Sequence, residues 1–163
     1  DLESQFMGHL TAVVQRLRES TAPGTSATEP VSETSLCVRT QWAVAHAPGG
    51  PKSMVVVSIQ NRSSGPVHLG TFKIELDDGQ FAFPRFDAFG RPPTVHGTLL
   101  PGAAFDLYLA FADLHAISQE FSATPRRVQV KDQVERIYWS SEKEMALALA
   151  NGERWEEARD GTT

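Results

Sequence analysis

The sequence is poor in the features that most often reveal a function. It has one cysteine in 163 residues, so it can form neither an internal disulfide nor a four-thiolate zinc site. No apolar run approaches the roughly eighteen residues that a membrane-spanning helix requires. The chain has 15 Lys and Arg residues and 20 Asp and Glu residues, which gives a net charge of −5. This acidic balance argues against a nucleic-acid-binding surface, which requires a concentration of basic residues.

The motifs of common catalytic and metal sites are also missing. G-x-S-x-G, G-x-x-x-x-G-K-[ST] and H-E-x-x-H do not occur. The five histidines are dispersed, and no two have the i, i+4 spacing of a zinc-binding helix. His68 and His96 come nearest to a pair, because both have an outward phase on predicted strands. We predict no metal site and no cofactor.

Two isolated features have a chemical interpretation and a simpler structural one. Cys37 lies between apolar residues typical of a strand, with no base-bearing neighbourhood to activate its thiol. Asn61-Arg62-Ser63 matches the glycosylation sequon, but a plain turn between strands explains it. We therefore predict that the protein is not an enzyme. Catalysis is kept as a third alternative, because a fold alone does not exclude it.

The first 35 residues divide into two segments. Residues 1–19 are predicted to form an amphipathic helix, whose apolar residues recur every three or four positions as Leu2, Phe6, Leu10, Val13 and Leu17. Such a stripe packs on the domain or on a neighbouring subunit, so we expect self-association through this helix as one outcome. The alternative is the end of a longer coiled coil. Residues 20–35, half of them Ser or Thr, are predicted to be a flexible linker.

Residues 36–140 change to the period of two that is typical of half-buried strands. About seven short strands separated by turn signals predict a mainly β fold, an antiparallel β-sandwich with flanking N- and C-terminal helices and one short connecting helix. An antiparallel barrel is the alternative. The predicted core contains Trp42, Val57, Ile74, Leu107 and Leu109.

The third predicted strand changes phase in its middle. Val67 and Leu69 are apolar at odd positions, whereas Phe72 and Ile74 are apolar at even ones. A slip of one residue turns every later side chain to the opposite face. Gly70 stands at the change, so we predict a β-bulge or a bend there.

Several element boundaries follow from local signals. Residues 95–100 and 134–139 are predicted strands, and Asp113 is expected to cap the short connecting helix. Residues 141–163 are predicted to be a C-terminal helix and a frayed tail. Ser141 and Glu144 form a capping box at its start, and Asn151-Gly152 is expected to end it.

The stretch 81–91, FAFPRFDAFGR, places four phenylalanines and two arginines in and after a predicted strand. Structured loops on a rigid scaffold are where binding residues concentrate, and Phe and Arg are enriched at interfaces. We therefore predict a binding site formed by Arg85, Phe86, Phe89 and Arg91. The alternative is that Phe86 and Phe89 close the end of the sandwich.

The turn signals together resemble a known kind of domain. Asn61-Arg62 followed by Pro66-Val67, then Asp78-Gly79, then Leu100-Pro101-Gly102 before an alternating strand and a short helix, resemble an immunoglobulin-like domain of uncharacterised bacterial proteins over residues 36–140. The resemblance implies a sandwich with a non-catalytic role, often preceded by a helical segment. The paired cysteines and intervening Trp of antibody domains are absent.

The predicted function is a non-enzymatic interaction module that mediates protein–protein contact within a larger assembly. The alternative is a small-ligand or carbohydrate-binding β-sandwich domain. Carbohydrate ranks below protein because sugar-binding faces use Trp or Tyr rather than Phe. We expect a protein partner, no nucleic acid and no transmembrane segment, and the single thiol favours the cytoplasm.

Overall fold

The computed structural model describes residues 36–161, so the predicted N-terminal helix and linker lie outside the described residues. The described part is mainly β, as predicted. Its strands are β1 (Leu36–Ala47), β2 (Gly50–Asn61), β3 (Val67–Leu76), β4 (Phe81–Ala82), β5 (Thr98–Leu99), β6 (Ala104–Ala110), β7 (Pro125–Asp132) and β8 (Ile137–Trp139). Its helices are α1 (Phe111–Phe121) and α2 (Glu142–Asp160).

The strands form two antiparallel sheets that share one hydrophobic core. The first sheet has the order β1-β2-β6, and the second has the order β4-β3-β7-β8, with β5 also paired to β3. Four of the five predicted core residues are buried: Val57, Ile74, Leu107 and Leu109. Trp42 is half-buried and packs against the core. The period-two pattern therefore predicted the inner face of both sheets correctly.

The first sheet is also covered on part of its outer face. Residues 54–57 of β2 are at most 1% exposed, although successive side chains of a strand point to opposite faces. Val55 and Val57 belong to the shared core, whereas Met54 and Val56 form a second cluster with Ala43, Ala45 and Ala88. Since Ala88 comes from the chain between β4 and β5, that segment covers an outer surface of the sheet.

The phase change in β3 is an irregularity of pairing, as predicted. The β3–β7 register shifts between Leu69 and Thr71, with Gly70 between them. A Cβ atom on Gly70 would lie 2.8 Å from the backbone oxygen of Lys131. Glycine is therefore required there by the close approach of the neighbouring strand.

The predicted end of the C-terminal helix is wrong. Ser141 accepts a hydrogen bond from the Glu144 amide as expected, but α2 continues through Gly152 to Asp160 instead of fraying. Gly152 is an interior helical position because the ring of Phe111 occupies the space that a Cβ atom would need. Beyond it, the Trp155 ring lies 6.5 Å from that of Trp42, which ties the last turns to β1.

Three further boundaries differ from the prediction. Within 95–100 only Thr98–Leu99 pairs as a strand, and within 134–139 only Ile137–Trp139 does. The Asp132 carboxylate explains the second difference, because its Oδ1 accepts hydrogen bonds from the amides of Val134 (3.0 Å) and Arg136 (2.9 Å) and holds that stretch as a turn. Helix α1 begins directly after β6 without a side-chain cap, so Asp113 lies in its first turn rather than at the cap.

Connections between the sheets determine where a site can form. Helix α2 packs on β1 and β7, and Glu144 Oε2 accepts a hydrogen bond from the Thr40 amide of edge strand β1 at 3.2 Å. Residues 83–97 form backbone hydrogen bonds with both sheets. The Ala88 amide donates to the backbone oxygen of Tyr108 in the first sheet (2.7 Å), and the Leu69 amide in the second sheet donates to the backbone oxygen of Gly97 (2.9 Å). Helix α1 leads from β6 to β7 beside this segment.

Candidate binding cleft

A cleft of about 400 Å³ lies between helix α1 and the chain that leaves β4. We call it the β4–α1 cleft. Its loop side consists of residues 81–86, and its helix side consists of Asp113, Ala116, Ile117, Glu120 and Phe121. One wall is thus mainly aromatic, and the other carries two carboxylates around an apolar centre.

Alternating burial along the loop side explains why its aromatic rings face outward. Ala82 and Pro84 are buried and anchor the segment, while Phe83, Arg85 and Phe86 are exposed. Pro84 also ends β4, because proline has no amide hydrogen to continue the ladder. The anchoring residues thereby hold the aromatic side chains at the rim of the cleft.

The helix side follows from the 3.6-residue period of α1. Asp113, Ile117 and Glu120 are spaced by four and three residues, which places them on one face of the helix. Leu114, which is fully buried, points to the shared core instead. The short helix therefore has one face in the core and another face in the cleft.

Phe83 and Phe86 are 66% and 53% exposed, although phenylalanine is a residue of protein interiors. Single exposed apolar residues are ordinary, but these two line the same cleft beside Phe81 and Phe121. Aromatic side chains that meet in a concave surface are typical of interface anchors.

The carboxylates of the helix wall have no cationic partner among the residues that the structure describes. Neither Asp113 nor Glu120 has an ion pair among residues 36–161. Partial burial removes water from Asp113 and raises the pKa of its carboxyl above the ordinary value of 3.8. Arg85 is the cationic side chain among the lining residues. A positively charged group of a binding partner would therefore be attracted to the carboxylates of this wall.

The four predicted site residues lie in two different surroundings. Arg85 and Phe86 line the cleft, but Phe89 is half-buried and packs edge-on against Tyr108, with 5.5 Å between ring centroids. Arg91 lies over the Phe89 ring at 5.5 Å. The cleft therefore includes two of the four predicted site residues, and the binding role of all four stays a prediction.

Asp87 is the reason for this division of the loop. Its Oδ1 atom accepts hydrogen bonds from the amides of Phe89 (2.8 Å) and Arg91 (2.9 Å). The resulting tight turn directs Phe89 onto the outer face of the first sheet, where Ala88 is also buried. Only the part of the loop before Asp87 faces the cleft.

The sequence prediction missed Phe83, Asp113 and Glu120 as cleft residues. The alternation of Phe81, Ala82 and Phe83 predicts a strand that includes Phe83, but Pro84 directly after it indicates that this strand ends there. The i, i+7 spacing of Asp113 and Glu120 on a short amphipathic helix was visible as well. No local sequence pattern indicates which face of α1 lies towards β4.

The remaining candidate residues have structural partners. His68 Nδ1 lies 2.7 Å from Thr98 Oγ1, and the His96 ring packs against Phe105 at 6.1 Å. Across residues 36–161, no group of three or more His, Cys, Asp and Glu side chains could hold a metal ion. Cys37 is half-buried and pairs with Gln60 across β1 and β2.

Asn61 of the sequon is a structural residue in this fold. It is completely buried, and its Nδ2 atom donates to the backbone oxygens of Gly65 and Leu99, both at 2.8 Å. Its Oδ1 atom accepts hydrogen bonds from Ser63. The amide nitrogen that a glycan would modify is therefore inaccessible and already engaged.

Comparison with known proteins adds no relative. Neither a scan against protein-family models nor a search of curated proteins finds a match to this chain. Neither helix between residues 36 and 161 combines the length and apolar character needed to cross a bilayer.

Proposed function

We propose that this protein is a non-enzymatic interaction module, an immunoglobulin-like sandwich that binds a protein segment in the β4–α1 cleft. The observation that carries the proposal is the exposure of Phe83 and Phe86 at the rim of one concave surface. Buried aromatic anchors supply much of the affinity of protein interfaces, and a partner that covers these rings would remove their apolar surface from water.

The two walls of the cleft suggest what the partner segment contains. An apolar side chain would fill the space between Phe86 and Ile117. A Lys or Arg side chain beside it would pair with Asp113 or Glu120, which have no cation of their own among the described residues. The proposed ligand is therefore a peptide segment with an apolar anchor and a nearby positive charge.

The carbohydrate alternative has less support at this cleft. Sugar-binding surfaces stack Trp or Tyr rings on the sugar and surround them with hydrogen-bonding side chains. The aromatic lining here is entirely phenylalanine. We keep the cytoplasm as the proposed compartment on the basis of the single thiol.

Selection from a random peptide library tests the proposal. The full chain is immobilised, and enriched peptides are then measured against the double variant Phe83→Ala/Phe86→Ala. We expect enriched peptides to combine an apolar anchor with Lys or Arg. Their affinity for the double variant should fall at least about 30-fold, because removing an interface anchor costs on the order of 2 kcal/mol or more.

The matched control is Leu100→Ala/Val134→Ala, because these two residues are 63% and 64% exposed and do not line the cleft. The control should bind the selected peptides as tightly as the original protein. Equal binding by the Phe83→Ala/Phe86→Ala protein, or enrichment of peptides without a common anchor, would show that the cleft is not the binding surface.

A further inference from the structure

We propose that, without another partner, the β4–α1 cleft is occupied by the N-terminal segment of the same chain, residues 2–17. The proposal rests on the proposed function of the cleft as a peptide-binding site and names its first ligand. The apolar stripe of this segment and the apolar lining of the cleft would then cover each other.

The N-terminal segment and the cleft are chemically complementary. Leu2, Phe6, Leu10, Val13 and Leu17 form one stripe of the predicted helix, within 40° of its centre at 100° per residue. The cleft between α1 and residues 81–86 offers apolar side chains to such a stripe, among them Phe83, Phe86 and Ile117. Docking an apolar helix face into an apolar groove is a common mode of peptide recognition.

Charge supports the same placement. Arg16 precedes Leu17, the last residue of the stripe, and borders the stripe at about 80° from its centre at 100° per residue. Asp113 and Glu120 lie on the helix wall of the cleft. Seven residues separate the two carboxylates, so they stand about 10 Å apart along α1. A pair between the Arg16 guanidinium and either carboxylate would be a charge-assisted hydrogen bond.

The chain between the segment and the domain is long enough for this contact. Ala43 of β1 pairs with Met54 of β2, which pairs with Ala110 at the end of β6, where α1 begins. Leu36, the first residue of β1, lies seven residues before Ala43. The distance to cover is therefore about 23 Å along the sheet. Residues 18–35 connect the segment to Leu36 and can span about 60 Å when extended. Such a tether gives an effective concentration on the order of millimolar, which favours the same chain over a second copy.

Paramagnetic broadening in the full chain tests this contact. A nitroxide is attached at Ser4→Cys in a Cys37→Ser background, since Ser4 lies on the helix face opposite the stripe. We expect the amide signals of Ala116, Ile117 and Glu120 to lose most of their intensity. The amides of Leu100 and Val134, which do not line the cleft, should keep theirs.

Two variants that each introduce one carboxylate into the segment control for the change in charge. Leu10→Asp places a carboxylate in the stripe and should restore the α1 signals, whereas Gln15→Asp places it on the opposite face and should leave them broadened. Unbroadened α1 signals in the starting protein, or equal broadening in both variants, would overturn the proposal.

A mixed sample separates the same chain from a second copy. Nitroxide-labelled chain without isotopes is combined with isotope-labelled chain without nitroxide, and we expect no broadening of the α1 signals. Broadening in this sample would assign the cleft to a second copy and overturn docking within one chain. If selected peptides bind the Leu10→Asp protein but no α1 signal broadens in the starting protein, the proposed function stands and this inference fails.

Discussion

At the scale of single residues, Phe86 and Phe89 differ in burial although three positions separate them. Phe86 is 53% exposed, whereas Phe89 is half-buried against Tyr108 of β6. Asp87 lies between them and turns the chain. The two rings consequently have different roles, one in the cleft and the other in the cover of the first sheet.

This difference predicts opposite results for two alanine variants. Phe86→Ala should change the free energy of unfolding by no more than about 0.5 kcal/mol, as at an ordinary surface site. Phe89→Ala should lower it by about 2–3 kcal/mol, because a packed ring and its edge-to-face contact are lost. Urea unfolding of both proteins measures the difference. A stable Phe89→Ala protein beside a destabilised Phe86→Ala protein would reverse the two roles.

Asp113 predicts a pH dependence of stability. Burial raises the pKa of its carboxyl in the folded protein above the unfolded value, so the ionised form is disfavoured by folding. Stability is therefore lost as pH rises through the unfolded pKa of about 3.8 towards the raised value. Arg85 and Glu120 are the other charged residues that line the same cleft.

The variant Asp113→Asn should consequently be more stable than the original protein at pH 7, where Asp113 is ionised. The advantage should vanish near pH 3, where the carboxyl is protonated in both folded and unfolded states. Thermal melts across this range measure it, with Glu120→Asn as the comparison at an exposed position of the same helix. If the stability advantage of Asp113→Asn instead grew below pH 4, folding would lower the pKa of the Asp113 carboxyl.

At the scale of elements, α2 depends on a residue that normally weakens helices. Gly152 allows Phe111, the first residue of α1, to pack against the helix backbone. The contact joins the two helices of the described domain. It also explains why a glycine that resembles a C-terminal stop signal lies inside a 19-residue helix.

Gly152→Ala should therefore destabilise the protein by about 1–3 kcal/mol through overpacking, even though alanine is intrinsically better in a helix by about 1 kcal/mol. The reverse substitution at an exposed position of the same helix, Ala146→Gly, should cost only the propensity difference. Urea unfolding compares the two proteins. A Gly152→Ala protein more stable than the original would show that Phe111 does not occupy that space.

The elements that the sequence predicted are those fixed by local pattern. Alternation identified the inner faces of β2 and β6, and the slip at Gly70 identified the bulge. The errors concern residues whose environment comes from distant parts of the chain. Tyr108 decides the burial of Phe89, and Phe111 decides the role of Gly152. Such pairings depend on how elements dock, which no local pattern contains.

At the scale of the whole molecule, residues 36–161 contain a core shared by two sheets and closed by two helices. A chain shortened by residues 1–35 should therefore unfold cooperatively. Its melting temperature should shift by a few degrees, equivalent to on the order of 1–2 kcal/mol. Differential scanning calorimetry measures this. Loss of the cooperative transition would show that the N-terminal segment belongs to the core.

The β4–α1 cleft is the surface through which we propose that this protein binds a partner. The most direct measurement is a titration of the isotope-labelled full chain with the tightest selected peptide, followed by backbone amide chemical shifts. We expect the largest changes in chemical shift at the amides of Phe83, Phe86, Asp113, Ala116 and Glu120. Changes concentrated instead around Leu100 and Val134, or on the outer face of the second sheet, would contradict it.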